Sequence, residues 1–481
     1  MTQTVTKKLN DYAWARWSAL ALIASMMFFG YMFVDVMAPI KSLLEPALGW
    51  SSTAYGTYRS AEYFLNVWGF LIVAGIILDK CGIRFTGTLS ASLMVVGACI
   101  KLYGISSLFV GSALESWLNS WWVSIPASAK MASLGFMIFG CGCEMAGTTV
   151  SKALAKWFKG KEMALAMGLE MAIARIGVFS VFSLSPWIAE KMGSVVVPVA
   201  FCTVLLLVGL IFFLVFCVMD RKFDKELSSD KLAAEVSDEQ FKISDIMLVF
   251  SSRIFWVVAL LCVLYYSAIF PFQAYGAEML QCNLNVDVST ASDIFRWFPV
   301  GAAIITPFLG NYLDRKGKGA TMLICGALLL ILCHLVFAFV LPVANSKLIA
   351  YITIVVLGIS FALVPAALWP SVPKIIEERV LGSAYCLIFW VQNIGLCLVP
   401  LLIGNVLDSV NATNPAVVAA KAQIEQLKAT GIESPDVFIP YDYTWPLVIF
   451  AGFGVAALLI ALYLKALDKK NGYGLEEPNI K

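Results

Sequence analysis

Only one histidine, His334, occurs in 481 residues, and Asp, Glu, Lys and Arg together supply 14% of the chain. A single imidazole rules out every paired-histidine metal motif, and no Gly-x-x-x-x-Gly-Lys-Ser/Thr stretch exists to cradle a nucleotide. Charge this sparse, on a chain that is 60% hydrophobic, cannot coat a soluble domain of this length. A formal net charge of +2 provides no basic surface for nucleic acid. Of twelve cysteines, most stand inside apolar runs and only Cys282 falls clearly in an outward loop, so no disulfide framework is available. No enzyme constellation and no cofactor site remain to be read, and any transport must run on gradients.

What is present is apolar sequence in long runs. A run of about 18 or more apolar residues reads as a membrane-crossing helix. Twelve such spans are expected, at 18–40, 54–78, 86–105, 128–150, 162–187, 196–219, 253–277, 292–313, 320–342, 348–372, 381–406 and 444–466. The first follows Lys7, Lys8 and Arg16 as a signal peptide would, but it is too long for one and contains Asp35. Basic residues crowd alternate loops, as at Lys80 and Arg84, Lys152 to Lys161, Arg221 to Lys225, and Arg315 to Lys318. By the positive-inside rule both termini are cytoplasmic, as an even number of spans requires.

A motif occurs twice: Gly75-x-x-x-Asp79-Lys80-x-Gly82-x-Arg84 and Gly310-x-x-x-Asp314-Arg315-x-Gly317-Lys318. Each copy closes one apolar run and opens another. Duplicated membrane bundles are the layout of an alternating-access carrier, with its site between the halves at the midplane. The expected fold is all-α, twelve transmembrane helices in two pseudo-symmetric six-helix bundles. The expected domains are residues 1–219, a cytoplasmic linker at 220–246, and residues 247–481. Two outward loops, 106–127 with Trp117, Trp121 and Trp122, and 408–442 with a helical Ala416–Thr430 segment, read as caps on the rim or as a substrate lid.

Charged groups deep in a span cost roughly 2.5–3.5 kcal/mol each by insertion scales, and they face a cavity or a partner. Glu144 falls mid-way along the fourth span and Arg175 mid-way along the fifth. Gly140, Glu144, Gly147 and Ser151 share a face that is small apart from the carboxylate, so something can approach it closely. Glu144 and Arg175 either pair and lock two helices or grip the two ends of a zwitterion, the guanidinium forking onto a carboxylate. Asp35 is either a proton or ammonium site or a solvated residue at the outer mouth; Glu170 is the second candidate proton site. Arg59 with Glu62 and Asp293 with Arg296, both spaced i,i+3, read as outer-gate salt bridges. Asp79 and Asp314 read as cytoplasmic gates that meet a helix N-terminus or a base such as Arg84, with Arg315 alongside. His334 reads as packed. Tyr265, Trp369 and Trp390 are aromatics that could line the cavity, and Asn393 is the pseudo-symmetric counterpart of Arg175.

The duplicated motif resembles the signature of the major facilitator superfamily. A narrower resemblance, to the branch of lysosomal dipeptide transporters, rests on Trp157-Phe158-Lys159-Gly160-Lys161-Glu162, Gly168-Leu169 and Ala174-Arg175-Ile176-Gly177. It extends to Tyr265-Tyr266 with Phe270-Pro271-Phe272, Ala367-Leu368-Trp369-Pro370 and Gln392-Asn393-Ile394-Gly395. This resemblance implies that Glu144 and Arg175 contact the two termini of a dipeptide. Glu170 departs from it, standing where relatives carry a neutral amide. The expected function is a secondary carrier of dipeptides or similar small zwitterions, by uniport or proton coupling. The alternatives are a carrier of small organic anions and a transporter-like membrane receptor. The expected setting is a monomer in a lipid bilayer, in a bacterial plasma membrane or, alternatively, a lysosomal one.

Overall fold

In the computed structural model both copies of the duplicated motif turn the chain at the same residue. Gly82 (φ 75°) and Gly317 (φ 71°), each three residues after its aspartate, adopt left-handed backbone. A residue with a Cβ reaches that conformation only at a steric cost, so glycine is required there. The structure describes residues 8–159, 161–229, 247, 249–376, 381–432 and 436–478. Most of the expected linker, together with Gly160 and Glu377-Glu378-Arg379 of two charged turns, lies outside the described residues.

All regular elements among the described residues are helical. The first half comprises α1 (Ala13–Asp35), α2 (Lys41–Leu48), α3 (Ser52–Val67), α4 (Phe70–Ile105), α5 (Ala113–Asn119), α6 (Ala127–Trp157), α7 (Met163–Met192) and α8 (Val196–Ser229). The second comprises α9 (Arg253–Leu284), α10 (Val288–Phe295), α11 (Trp297–Lys316) and α12 (Gly319–Leu335). A π turn and the short α13 (Leu341–Ala344) prolong α12, and α14 (Lys347–Ile375), α15 (Leu381–Asn411), α16 (Pro415–Ala429) and α17 (Thr444–Asn471) follow. The fold is the expected all-α membrane architecture of two related bundles.

Ten helices among the described residues are long and apolar enough to cross a membrane, against twelve expected spans. The shortfall falls on two segments that correspond in the repeat. Expected span 54–78 breaks at Trp68 and Gly69, between α3 and α4. Expected span 292–313 breaks at Arg296, between α10 and α11. Each carries a charged pair, Arg59 with Glu62 or Asp293 with Arg296, in place of apolar side chains. Within α4 the backbone of Gly82 is not helical, so the remainder of the second span and the third span are two helices that meet at this turn.

Glycines set the closest approaches, as small residues do between membrane helices. A Cβ on Gly97 of α4 would stand 2.4 Å from the Gly135 carbonyl oxygen of α6, and one on Gly140 would stand 1.9 Å from the Glu62 carbonyl oxygen of α3. The small face read from Gly140 to Ser151 is therefore closed by α3 at Gly140, while the space before Gly147 is open. His334 is packed, its ring against Phe272 and Phe450 and its Nδ1 2.9 Å from the Leu330 carbonyl oxygen.

Chain ends are pinned under their own halves. Arg16 pairs with Glu162 at 3.0 Å, and Lys161 donates to Asp11 at 2.9 Å. The latter bond holds the Asp11 carboxyl below its ordinary pKa, so this pin persists in mild acid and is lost only as pH falls through that lowered value. In the second half, Lys318 and Gly319 donate backbone N–H groups to Glu476 and Leu475, and the Glu476 side chain caps the start of α12 at Thr321 N, 2.7 Å.

Candidate functional site

Contacts between the halves gather on the outer side. Lys41 of α2 and Glu278 of α9 form a buried ion pair, and the Tyr443 hydroxyl donates to the same carboxylate. The Lys41 ammonium also sits over the rings of Tyr275 and Tyr55, 5.3 and 5.5 Å from their centroids. Asp408 of α15 accepts from Ser52 N (3.2 Å) and Thr53 N (2.7 Å), so a carboxylate of one half caps a helix of the other. Glu45 accepts from Tyr441 and pairs with Lys421 of α16. Arg296 pairs with Asp293 at 3.0 Å and reaches across to the Ser183 hydroxyl of α7 at 2.8 Å. These contacts join the two halves on the side away from the duplicated motif. Glu278 and Asp408 were missed from sequence because neither has a charged neighbour within one turn of its helix, and Lys41 because its partner lies 237 residues away rather than at Glu45 of its own helix.

At the duplicated motif, Asp79 meets a basic residue of a neighbouring helix, the kind of partner expected, though a different one from Arg84. Asp79 accepts from Lys152 of α6 at 2.9 Å rather than from Arg84. Arg84 turns instead to Asp220 (2.9 Å) and Asp224 of α8, which Lys156 also binds. The cause is the turn at Gly82, which carries Arg84 into the next helix, beside α8. In the second copy Asp314 is half-buried and Arg315 exposed.

Between these levels lies the centre. Tyr31 of α1 is within electrostatic reach of Glu144, Glu170 and Arg175, which brings three helices to one place. Glu144 and Arg175 are half-buried. Neither forms an ion pair or a side-chain hydrogen bond among the described residues, so they do not lock their helices together. Arg175 instead crosses to the second half, its guanidinium carbon 5.0 Å from the Phe361 ring centroid. Beside Phe361 stand Tyr266 and Phe270, and the Trp369 indole donates to the Tyr266 hydroxyl at 3.3 Å. The charges of the centre therefore come from the first half and the aromatic wall from the second.

Other expected site residues fall behind this wall. Tyr265 is fully buried, and its hydroxyl bonds Ser360 of α14 at 2.7 Å, so Tyr266 is the member of that pair that meets Phe361 and Trp369. Asn393 is buried and donates to Phe389 of its own helix at 2.9 Å, leaving its Oδ1 without a partner. Trp390 bridges the halves through Val67 O at 2.8 Å. Glu170 is buried on α7, and Arg175 is the charged group in its reach.

Asp35 is not a solvated mouth residue. It is 1% exposed, lies 3.5 Å from Arg59, and accepts from Gln273 of the second half. Arg59 also faces Glu62 at 3.7 Å and donates to Val34 O at 2.6 Å. The expected pair is thus part of a larger buried cluster. A separate cavity of about 340 Å³ lies at the outer rim, lined by Leu43, Glu190, Gln281 and Phe438 among others, away from every charged group of the centre.

The family model of the Major Facilitator Superfamily matches residues 20–400 and 280–478. The chain is 25% identical to the lysosomal dipeptide transporter MFSD1 of Homo sapiens over 400 residues, covering 81% of this chain and 79% of that one. It is 27% identical to the Danio rerio MFSD1 over 346 residues, covering 70% and 68%. Among solved structures, the nucleoside transporter NupG superposes with a TM-score of 0.63 at 13% identity, over 93% of this chain and 99% of that one. A bacterial homologue of the human lysosomal transporter Spinster, inward-facing and unoccupied, superposes with a TM-score of 0.68 at 15% identity, over 95% and 98%. At these identities the superpositions speak for the fold alone.

Proposed function

Because the chain belongs to the Major Facilitator Superfamily, we propose that it carries dipeptides, or zwitterions of similar size, across a membrane by alternating access. The observation that carries this is that Glu144 and Arg175 have no ion-pair or side-chain hydrogen-bond partner among the described residues. Two opposite charges on neighbouring helices, left without partners in a largely desolvated centre, cost free energy that a ligand bearing both an ammonium and a carboxylate repays. Arg175 takes the ligand carboxylate in its planar fork and Glu144 the ammonium. Side chains of the ligand pack on Tyr266, Phe361 and Trp369, where aromatic faces accept varied shapes. The 25–27% identity to dipeptide transporters supports the substrate class.

An organic-anion carrier fits less well. Glu144 and Glu170 surround the same centre as Arg175, and carboxylates in excess repel an anion. Halves joined on the outer side above an open space at Gly147 are the arrangement of a carrier closed to the outside, in line with alternating access. The outer gate is then the Lys41–Glu278 pair, while the Asp79–Lys152 contact holds α4 to α6 within the first half.

The test is a comparison of blocked and free ligands. Dialanine is expected to raise the melting temperature of the purified protein, because a ligand of the folded state stabilises it by mass action. N-acetyl-dialanine, lacking the ammonium, is expected to bind at least roughly tenfold more weakly, as loss of one desolvated charge contact entails. In Glu144→Gln that discrimination disappears. Equal binding of both ligands by the unmodified protein removes Glu144 from the ammonium site.

A further inference from the structure

Residues 106–126 connect α4 to α6 at the outer end of the first half, and Glu115 is the one charged residue among them. Leu108, Val110 and Val123 are 71–81% exposed, and Leu114, Trp117, Trp121 and Trp122 are exposed as well. An apolar surface of this density marks a contact with a protein or a membrane. The Glu115 carboxylate turns back on its own segment, accepting from Gly111 N at 2.5 Å. None of the three indole N–H groups has a hydrogen-bond partner among the described residues. Trp122 adopts left-handed backbone at φ 48°, a costly conformation for a bulky residue, and is exposed there.

The segment is fixed to the first half. Lys130 of α6 donates to the Leu118 carbonyl oxygen at 2.6 Å and to that of Trp121, and its ammonium lies 4.7 Å from the Trp121 ring centroid. Asn119 accepts from Ala127 N at 3.1 Å, capping the start of α6. Phe109, Leu118 and Ala127, with Tyr103 and Met131 against them, form a small core separate from the main one. The hydrogen bonds of the segment to other elements go to α4 and α6, and none crosses to the second half among the described residues. A lid over a site between the halves has to reach both of them, and this segment is held to one.

Its height in the membrane follows from the helices beneath it. At about 1.5 Å per residue, α4 rises about 35 Å from the Gly82 turn to Ile105, and α6 rises about 38 Å from Lys152, the partner of Asp79, back to Ala127. The hydrocarbon core of a bilayer is about 30 Å thick, and the whole with its headgroups about 40–45 Å. With the duplicated motif at one headgroup layer, residues 106–126 fall in the other. Exposed Val96 and Cys99 of α4 and Leu134 of α6 continue the same apolar surface down into the span.

We propose that residues 106–126 are a lipid anchor, lying in the outer headgroup layer with Leu108, Val110, Trp117, Trp122 and Val123 at the boundary with the acyl chains. Indole suits that depth, because the apolar ring enters the acyl region while its N–H donates to ester or phosphate oxygens. The segment brings no Lys or Arg of its own to a headgroup, so it takes zwitterionic lipid and gains nothing from anionic lipid. The other long outer segment differs: the exposed residues of α16 include Gln423, Glu425, Gln426 and Lys428, a surface for water. The anchor therefore belongs to the first half, and it does not depend on which ligand is carried.

The test uses the full chain in phosphatidylcholine liposomes. Spin-labelled residues are introduced by codon suppression, so that the twelve native cysteines stay untouched. At Val110 and Val123, collisions with oxygen are expected to exceed those with a water-soluble nickel chelate, present on both sides, by several-fold. At Gln426 the ratio is expected to reverse. Added phosphatidylglycerol is expected to leave all three ratios unchanged. Trp117→Ser with Trp122→Ser, which spares the Lys130 contact with Trp121, is expected to lower the ratio at Val110 several-fold while the melting temperature holds. Ratios at Val110 and Val123 equal to that at Gln426 overturn the anchor. Shielding of both positions from both reagents also overturns it, in favour of a protein contact. Insertion that appears only with phosphatidylglycerol overturns the assignment to zwitterionic lipid, and a ratio at Val110 that ignores the double substitution overturns the part given to the tryptophans.

Discussion

Arg175→Ala is expected to abolish dialanine binding while leaving the fold intact. The guanidinium is half-buried, makes no ion pair among the described residues, and touches the second half only through the Phe361 ring. Its removal therefore breaks no structural salt bridge. What is lost is the fork for the ligand carboxylate, and truncating one partner of a desolvated charge contact commonly costs about 2–5 kcal/mol. Arg175→Lys is expected to recover only part of the binding, since an ammonium offers a point charge where two parallel N–H donors are needed. Ligand-induced shifts in melting temperature, alongside an unchanged melt of the empty protein, check both. Full dialanine binding in Arg175→Ala removes it from the site.

The second large effect is expected at the outer seal. Lys41 and Glu278 are each 4% exposed at their side chains and join the halves. Glu278→Gln leaves the Lys41 ammonium buried without its counter-charge, and breaking such a pair from one side costs about 3–5 kcal/mol. That cost falls only on the state in which the two residues meet. The population is therefore expected to move towards an open outer face by roughly a hundredfold or more, since each 1.4 kcal/mol is a factor of ten. Distances between spin labels across the seam report the shift. The double variant Lys41→Met with Glu278→Leu removes both charges and is expected to restore much of the closed population, because an apolar pair of similar size is often neutral or stabilising. A seam that stays closed in Glu278→Gln assigns the seal to Asp408 and the Glu45–Lys421 pair instead.

The repeat was legible because the same glycine is demanded twice by the same left-handed turn, at Gly82 and Gly317. Spans were legible wherever apolar runs were unbroken. They were least legible at α3 and α10–α11, where charged pairs interrupt the hydrophobic signal and the helices themselves break. Pairs separated by one helical turn could be read from spacing: Arg59 with Glu62 and Asp293 with Arg296 are both in contact. Partners from distant segments could not. Nothing near Asp35 in sequence announces Gln273, 238 residues away, and nothing near Lys41 announces Glu278. Arg84 illustrates the same limit, since its distance from Asp79 depends on a turn that redirects the chain between them. Among the aromatics, the neighbours Tyr265 and Tyr266 differ only by helical rotation, which decides that one binds Ser360 and the other meets Trp369. Glu144 and Arg175 were legible as charges out of place; that they remain unpaired among the described residues is a property of the packed helices.

Dialanine counterflow in proteoliposomes tests the central claim most directly. Vesicles loaded with unlabelled dialanine are expected to take up labelled dialanine transiently against its gradient. Arg175→Ala vesicles, holding the same amount of folded protein, are expected to take up none. Uptake that is equal in the two, or absent in both while an organic acid exchanges freely, would contradict a zwitterion carrier built on Glu144 and Arg175.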